Sequence, residues 1–381
     1  REHWHDYNRM MNRITRQRIW HGWLVVCTAL SACARSTPIA GQTIETPSAQ
    51  PALSLIDLQT GYSVRGAWFE LYFTDPTDSF SLQGTGGIDV PLIAALDAAR
   101  LSVDAAAYSL TLNSVRNALL RAHSRGVTVR LAMESTNMDS SDVQMLLEAG
   151  IPIVGDGQKG LMHNKFIVID RSEVWLGSMN YTDSGTYDDD NNLMRIRSTK
   201  LAENYTKEFE EMFLDHKFGE SVVRKTPYPT LTIDGTRIDT FFSPDDGTLD
   251  QIAAVLSGAT ESIYFLTFSF TSDKLGEIVR EKAGAGLTVR GVMDEEQVKS
   301  NQGTEYDPFK QAGLSVRIDG IDGQMHHKVF IVDESIVVFG SYNFSRAAEE
   351  RNDENLLIIY NAAIAQQFML EFERVWKAAH D

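Results

Sequence analysis

The chain has 381 residues, with 35 Lys and Arg against 52 Asp and Glu, a formal charge of −17 and 43% hydrophobic residues. That much apolar material excludes a disordered tail, and the length exceeds what one core usually organises, so two domains are expected. The acidic balance excludes a protein that coats a polyanion through a broad basic surface, and any chemistry on phosphate must sit in a local pocket.

Arg13, Arg16 and Arg18 precede an apolar stretch from Trp20 to Ala32, which His21 and Thr28 interrupt. It is too short to span a bilayer and reads as a secretory signal, with Met10 or Met11 as the start. Cys27 and Cys33 are the only cysteines, so no disulfide can support the body of the chain. The run Leu30-Ser31-Ala32-Cys33 resembles the lipobox of bacterial lipoproteins. That resemblance implies a signal peptide over 1–32, a lipid on Cys33, export across the inner membrane and anchorage to the cell envelope. Ala34, in place of an aspartate, points to the outer membrane or outer surface. Removing 1–32 takes away five arginines and two acids and leaves a charge of −20. Residues 33–65, rich in Thr, Ser, Pro, Gln and Gly, have the composition of a tether.

Beyond the tether the chain is one unit written twice. Residues 102–131 match 262–291 at an offset of 160: Ala107-Tyr108-Ser109 lies on Thr267-Phe268-Ser269, and Gly126-Val127-Thr128-Val129-Arg130 on Gly286-Leu287-Thr288-Val289-Arg290. Each reads as strand, helix, strand, with Gly126 and Gly286 as helix stops. Further on, His163 to Leu193 matches His326 to Leu356 at an offset of 163. The expected organisation is an α/β protein of two tandem α/β/α sandwich lobes, 66–220 and 241–381, related by a pseudo-two-fold and joined by a linker at 221–240 that carries Pro227, Pro229 and Gly235.

The first copy holds His163, Lys165 and Asp170, then Gly177, Ser178 and Asn180; the second holds His326, Lys328 and Asp333, then Gly340, Ser341 and Asn343. Six fixed residues at fixed spacing arise by chance on the order of once in tens of millions of start positions. The pattern occurs here twice. It resembles the HxKxxxxD and GSxN motifs of the phospholipase D superfamily, over both lobes. The resemblance implies a bilobed enzyme in which one His-Lys pair from each half meets at the interface and cleaves a phosphodiester through a phosphohistidine, without cofactor or metal.

The residue pattern carries the same chemistry. Phe166-Ile167-Val168-Ile169 and Val329-Phe330-Ile331-Val332 are buried-strand runs, so His163 and Lys165 share one face while Asp170 and Asp333 fall on the other and are assigned to structure. Two-residue turns at Arg171-Ser172 and Glu334-Ser335 would set Ser178 opposite Lys165, Asn180 opposite His163, Ser341 opposite Lys328 and Asn343 opposite His326. The two lysines would then neutralise nonbridging oxygens, the amides and hydroxyls would add donors, and Gly177 and Gly340 would let backbone approach the ligand. One imidazole attacks phosphorus while the other protonates the leaving oxygen. In relatives the residue 28 positions after the histidine supports it; here that residue is Asn191 after His163 and Glu354 after His326. An amide partner leaves an imidazole neutral and a carboxylate favours its protonated form, which assigns His163 as nucleophile and His326 as acid/base. Supports that cross between lobes would leave the swapped roles open.

Blander readings take the remaining features. His123, His216, His327 and His380 read as core or surface histidines, Asp188-Asp189-Asp190 as a solvated loop instead of a cation site, and Trp175, Tyr187, Tyr108 and Phe268 as core aromatics. A phospholipid membrane is the expected substrate and anchoring partner, giving phosphatidic acid plus alcohol; nucleic acid is the alternative substrate, followed by phosphatidyl transfer and a non-catalytic binding lipoprotein.

Overall fold

The structure is a computed structural model and describes residues 53–381. The signal segment and Cys33 lie outside the described residues. Strands β1 (Ser54–Leu55), β2 (Tyr62–Arg65), β3 (Phe69–Phe73), β4 (Ser102–Ala107), β5 (Thr128–Met133), β6 (Ile153–Gly155), β7 (Lys165–Ile169), β8 (Glu173–Gly177) and β9 (Asn192–Arg197) form a mixed sheet in the order β1-β2-β3-β9-β8-β7-β4-β5-β6. Strands β10 (Thr230–Ile233), β11 (Thr236–Ser243), β12 (Ser262–Thr267), β13 (Thr288–Met293), β14 (Ser315–Ile318), β15 (Lys328–Val332), β16 (Ile336–Gly340) and β17 (Glu354–Tyr360) form the second, in the order β10-β11-β17-β16-β15-β12-β13-β14. The two orders correspond strand for strand from β3 and β11 onward.

Within each lobe a helix links two parallel strands: Asn113–Ser124 joins β4 to β5, and Asp273–Gly284 joins β12 to β13. Gly126 and Gly286 follow these helices at φ 87° and 96°, a conformation that a side chain would strain. Such helices cover the outer face of each sheet and close a separate apolar core in each lobe.

The inner faces are covered by helices Thr199–Phe213 and Ala362–Ala378, capped by Ser198 and Asn361, whose side chains accept the Leu201 and Ile364 N–H groups. Their apolar positions, Leu201, Tyr205, Phe209 and Met212 in one and Ile364, Phe368, Phe372 and Val375 in the other, recur at helical spacing and are buried. They belong to one core that draws from both lobes; Phe73 packs edge-on against Phe368 at 5.1 Å between ring centroids, and Tyr205 against Phe242 at 5.0 Å. Because helices cover both faces, β7 and β15 are buried at every position.

Two stretches assigned to connections are strands instead. The second half of the expected tether supplies β1 and β2, and the expected linker supplies β10 and the start of β11. Thr230-Leu231-Thr232-Ile233 alternates polar with apolar, and Asp234-Gly235, at φ 47° and 76°, is a tight hairpin turn. The proline and glycine content of this segment belongs to a hairpin on the edge of the second sheet.

Candidate active site

The lobes are stitched together by two equivalent bridges. Met162 pairs with Asp353 and Met325 with Asp190, in parallel, so each lobe offers the other the same surface. This reciprocity marks a pseudo-two-fold. The His163 N–H donates to the Asp353 carbonyl at 2.9 Å, and the His326 N–H to the Asp190 carbonyl at 3.0 Å. Below these bridges, Glu134 accepts the Met162 N–H at 3.1 Å and Asp294 accepts the Met325 N–H at 3.1 Å.

The supports of the two imidazoles cross between lobes. His163 Nδ1 lies 2.8 and 2.9 Å from the two carboxylate oxygens of Glu354, whereas His326 Nδ1 lies 2.9 Å from the Asn191 Oδ1. The expectation that Asn191 serves His163 and Glu354 serves His326 is overturned: the residue 28 positions on stands across the interface. Ser178 and Ser341 do not face outward to a ligand. Ser178 Oγ donates to Asn191 Oδ1 at 2.8 Å and Ser341 Oγ to Glu354 Oε2 at 2.6 Å, so each hydroxyl fixes the support that its own lobe sends across.

The lysine ammonium groups turn back toward their histidines, Lys165 Nζ donating to the His163 carbonyl at 2.9 Å and Lys328 Nζ to the His326 carbonyl at 2.7 Å. An aromatic ring edges each pair. Tyr108 lies 5.1 Å from the His163 ring and 5.1 Å from Lys165 Nζ; Phe268 lies 4.8 Å from His326 and 4.6 Å from Lys328 Nζ. These half-buried rings were assigned to the core by their sequence, although their equivalence in the two copies, just past β4 and β12, was the signal that could have found them. Trp175 and Tyr187 are core residues. Asn180 and Asn343 are half-buried, and each Oδ1 is buried without a hydrogen-bond partner among the described residues.

The remaining motif residues shape the hairpins. Phe166 pairs with Leu176 and Val329 with Phe339, one residue short of the expected ladder. The turn residues at positive φ are Asp170 and Arg171, then Asp333 and Glu334, with Ser172 and Ser335 closing each turn onto Ile169 and Val332. An aspartate tolerates this conformation, and its carboxylate is held there. Asp170 accepts the N–H groups of Arg100, Leu101 and Ser102, and Asp333 those of Thr260, Glu261 and Ser262. Gly177 and Gly340 yield to a neighbouring strand, not to a ligand: a Cβ at either would lie 2.2 Å from the carbonyl oxygen of Asn192 or Asn355.

Burial dominates the electrostatics, since His163 and His326 are only 7% and 3% exposed and both lysines are 1% exposed. Burial pushes the His163 imidazole down to about 4; Glu354 opposes this and Lys165 adds to it. His326 is pushed well below its ordinary value by burial and then by Lys328 and Lys165, with no carboxylate to offset them. Burial brings Lys165 down to about 7 and takes Lys328 well below its usual range, Lys165 adding to the latter. Burial raises Glu354, but His163, Lys165 and Ser341 outweigh it and hold the carboxyl below its usual range. The site thus gathers four basic groups, with the Glu354 carboxylate hydrogen-bonded to one of them and Asp294 and Asp189 acting on Lys328 without a hydrogen bond to it, an arrangement that a bound anion relieves.

The three acids beside the site take different partners, and Asp189 and Asp190 are buried where a solvated loop was expected. Asp190 pairs with Arg374, Asp189 accepts the Gln324 N–H at 3.0 Å, and Asp188 is exposed. Among the described residues no group of three or more His, Cys, Asp or Glu side chains is placed to hold a metal ion, and no helix is long and apolar enough to cross a membrane.

The sequence family described as "Cardiolipin synthase, PLD-like domain" matches residues 92–213 and again 252–376, more than half of the chain and one match for each lobe. The chain belongs to the phospholipase D superfamily. Curated relatives within this superfamily include a mitochondrial cardiolipin hydrolase of Chlamydomonas reinhardtii, 31% identical over 135 residues, which are 35% of this chain and 60% of the relative. A phospholipase D of Rickettsia conorii is 27% identical over 161 residues, 42% of this chain and 80% of the relative. The matches to the cardiolipin hydrolases of Chlamydomonas and mouse span about 60% of those relatives. The fold matches the crystal structure of phosphatidylserine synthase from Haemophilus influenzae with a TM-score of 0.58 at 14% identity, over 81% of this chain and 85% of that one. The phospholipase D superfamily accounts for the paired sheets and the doubled His-Lys motif.

Proposed function

We propose that this chain is a phosphodiester hydrolase in which His163 attacks phosphorus, His326 protonates the leaving oxygen, and phospholipid is the substrate, yielding phosphatidic acid and an alcohol. The observation that carries the role assignment is the crossed pair of supports, a carboxylate on His163 Nδ1 and an amide on His326 Nδ1. Bond formation between Nε2 and phosphorus puts positive charge on the attacking imidazole. The Glu354 carboxylate compensates that charge and holds the proton on Nδ1, so that the lone pair of Nε2 is free to attack. An amide offers His326 no such compensation, which makes its imidazolium the stronger acid and suits proton donation to the leaving alkoxide. His163 thus remains the nucleophile for a reason opposite to the one its sequence position suggested.

Lys165 and Lys328 supply the charge that balances the phosphoryl oxygens through the transition state. In the second half-reaction neutral His326 takes a proton from water, which displaces His163 from phosphorus. Phospholipid as substrate draws support from the relatives named cardiolipin hydrolase and phospholipase D, from the charge of −17, and from the lipid-anchoring signal expected at Cys33.

The test incubates the full chain, in EDTA, with phospholipid vesicles and with single-stranded DNA, then quenches in acid and maps phosphate by mass spectrometry. Alcohol release with phosphate on the peptide holding His163 is the expected result. DNA cleavage without lipid turnover would make this a nuclease, and label on the His326 peptide would reverse the two roles.

A further inference from the structure

The rims of the two half-sites carry opposite charge at equivalent positions. Lys159 stands four residues before His163, and Asp322 four before His326. Arg351 stands three residues before the support of His163, and Asp188 three before the support of His326. All four side chains are exposed, and none enters an ion pair or side-chain hydrogen bond with another described residue.

The backbone holds each pair together. A Cβ at Gly160, next to Lys159, would lie 2.0 Å from the Arg351 carbonyl oxygen, and one at Gly323, next to Asp322, would lie 1.8 Å from that of Asp188. Lys159 and Arg351 therefore sit together at the start of the bridge that leads to His163, and Asp322 and Asp188 at the start of the one that leads to His326. One step further in, buried Asp189 and neutral Asn352 occupy equivalent positions, Asp189 accepting the Gln324 N–H and Asn352 donating to Glu354 at 3.3 Å. The exchange recurs at Asp183 and Arg346, although Arg346 is tied to Glu350.

Pseudo-symmetry makes these differences informative: a symmetric scaffold around a symmetric pair of histidines has kept a basic rim on one side and an acidic rim on the other. We infer that Asp188 and Asp322 determine substrate choice by receiving a leaving alcohol that carries a cationic amine, such as ethanolamine or choline, while Lys159 and Arg351 face the retained phosphoryl half with its ester oxygens. The inference rests on the roles proposed above, because in-line displacement places the leaving oxygen beside His326. The same rim repels a leaving group that is itself an anion, which sets this chain apart from an enzyme for nucleic acid or for a lipid with two phosphates.

The test uses the full chain with dihexanoyl phosphatidylethanolamine and dihexanoyl phosphatidylglycerol as soluble monomers, which removes vesicle surface charge. The readout is the ratio of the two kcat/KM values, because general damage to the protein moves both together. Wild type is expected to favour the ethanolamine ester, and Asp188→Lys with Asp322→Lys to lower the ratio about fivefold to twentyfold at low salt, an effect that shrinks as ionic strength screens exposed charges. Circular dichroism confirms that the double variant is folded, and the milder Asp188→Asn with Asp322→Asn should move the ratio the same way by less. A ratio that neither variant moves, or a wild-type preference for the glycerol ester, overturns the inference while the reaction stands. Failure of wild type to turn over either ester or to form phosphohistidine from bis(p-nitrophenyl) phosphate would remove the proposed reaction, and this inference with it.

Discussion

The two lobes place matching residues on matching strands, yet the ground beneath the two histidines is chemically different. Beneath His326, His327 Nε2 lies 3.0 Å from Glu371, Arg374 joins Glu371 to Asp190, and His327 Nδ1 lies 2.9 Å from Asn192 Nδ2. Beneath His163 the same positions are Asn164, Glu208, Glu211 and Asp353, and among the described residues Glu211 pairs with Lys217 and Lys225 where the other lobe has Arg374. Burial and the neighbouring acids push Glu208 and Asp353 well above the usual carboxylate range, whereas Glu371, raised by burial, is held below its usual range by Arg374 and His327. Duplication kept both His-Lys pairs and let the supporting layers diverge, so asymmetry of function can be sought one layer out from the repeated motif.

The largest effect comes from separating the two histidines. His163→Ala should cost about 10⁴-fold or more in kcat and leave no phosphohistidine. His326→Ala should still release a burst of p-nitrophenol from bis(p-nitrophenyl) phosphate, a leaving group that needs no proton, and then stall as the phosphoenzyme. Stopped-flow absorbance distinguishes the two, and equal bursts from both variants would erase the difference argued between the half-sites.

Exchanging the supports comes next. Glu354→Gln should lower kcat about 10²- to 10⁴-fold, by analogy with amides that replace a histidine-bound carboxylate. Asn191→Asp should act on the pH profile. His326 is held well below its ordinary value, so the protonated acid is lost as pH rises, and activity should fall on the alkaline limb. A carboxylate at position 191 raises that imidazole, and the limb should move to higher pH. A limb that stays in place would show that the group at 191 does not set the acid.

Smaller effects test the buried layers. His327→Asn, which gives the second lobe the residue of the first, should destabilise the fold by about 1–3 kcal/mol in urea, because Glu371 and Asn192 each lose a partner. Lys165→Met should raise the melting temperature by a few degrees while abolishing turnover. The folded chain holds Lys165 near 7 against 10.5 for the free side chain, so stability falls as pH drops from 10.5 toward 7. The gain from methionine should therefore be larger at pH 7 than at pH 10.

Identical spacing made the repeat and both His-Lys pairs legible in the sequence, along with strands whose apolar runs have no other reading. The crossing of Glu354 and Asn191 was not legible, because a residue 28 positions downstream gives no sign of which lobe it faces. The hairpin register slipped by one for a local reason: Asp170 and Asp333 take the first positive-φ turn position, which moves Ser172 and Ser335, expected as the second turn residue, out of the turn, and backbone N–H groups from another loop pay for that placement. Ser178 and Ser341 look like ligand donors when only their motif is seen, and their partners, Asn191 and Glu354, sit 13 residues further along. The Asp234-Gly235 hairpin was written plainly, but the prolines just before it drew the segment into a linker.

The bridges at Met162–Asp353 and Met325–Asp190 give the interface a further property. Each half-site borrows both the anchor of its histidine backbone and the partner of its imidazole from the other lobe, so for the proposed reaction neither lobe is complete alone. A chain cut between β9 and β10 would leave two inert pieces whose chemistry returns only on reassembly, which makes catalysis itself a report on the docking of one lobe against the other.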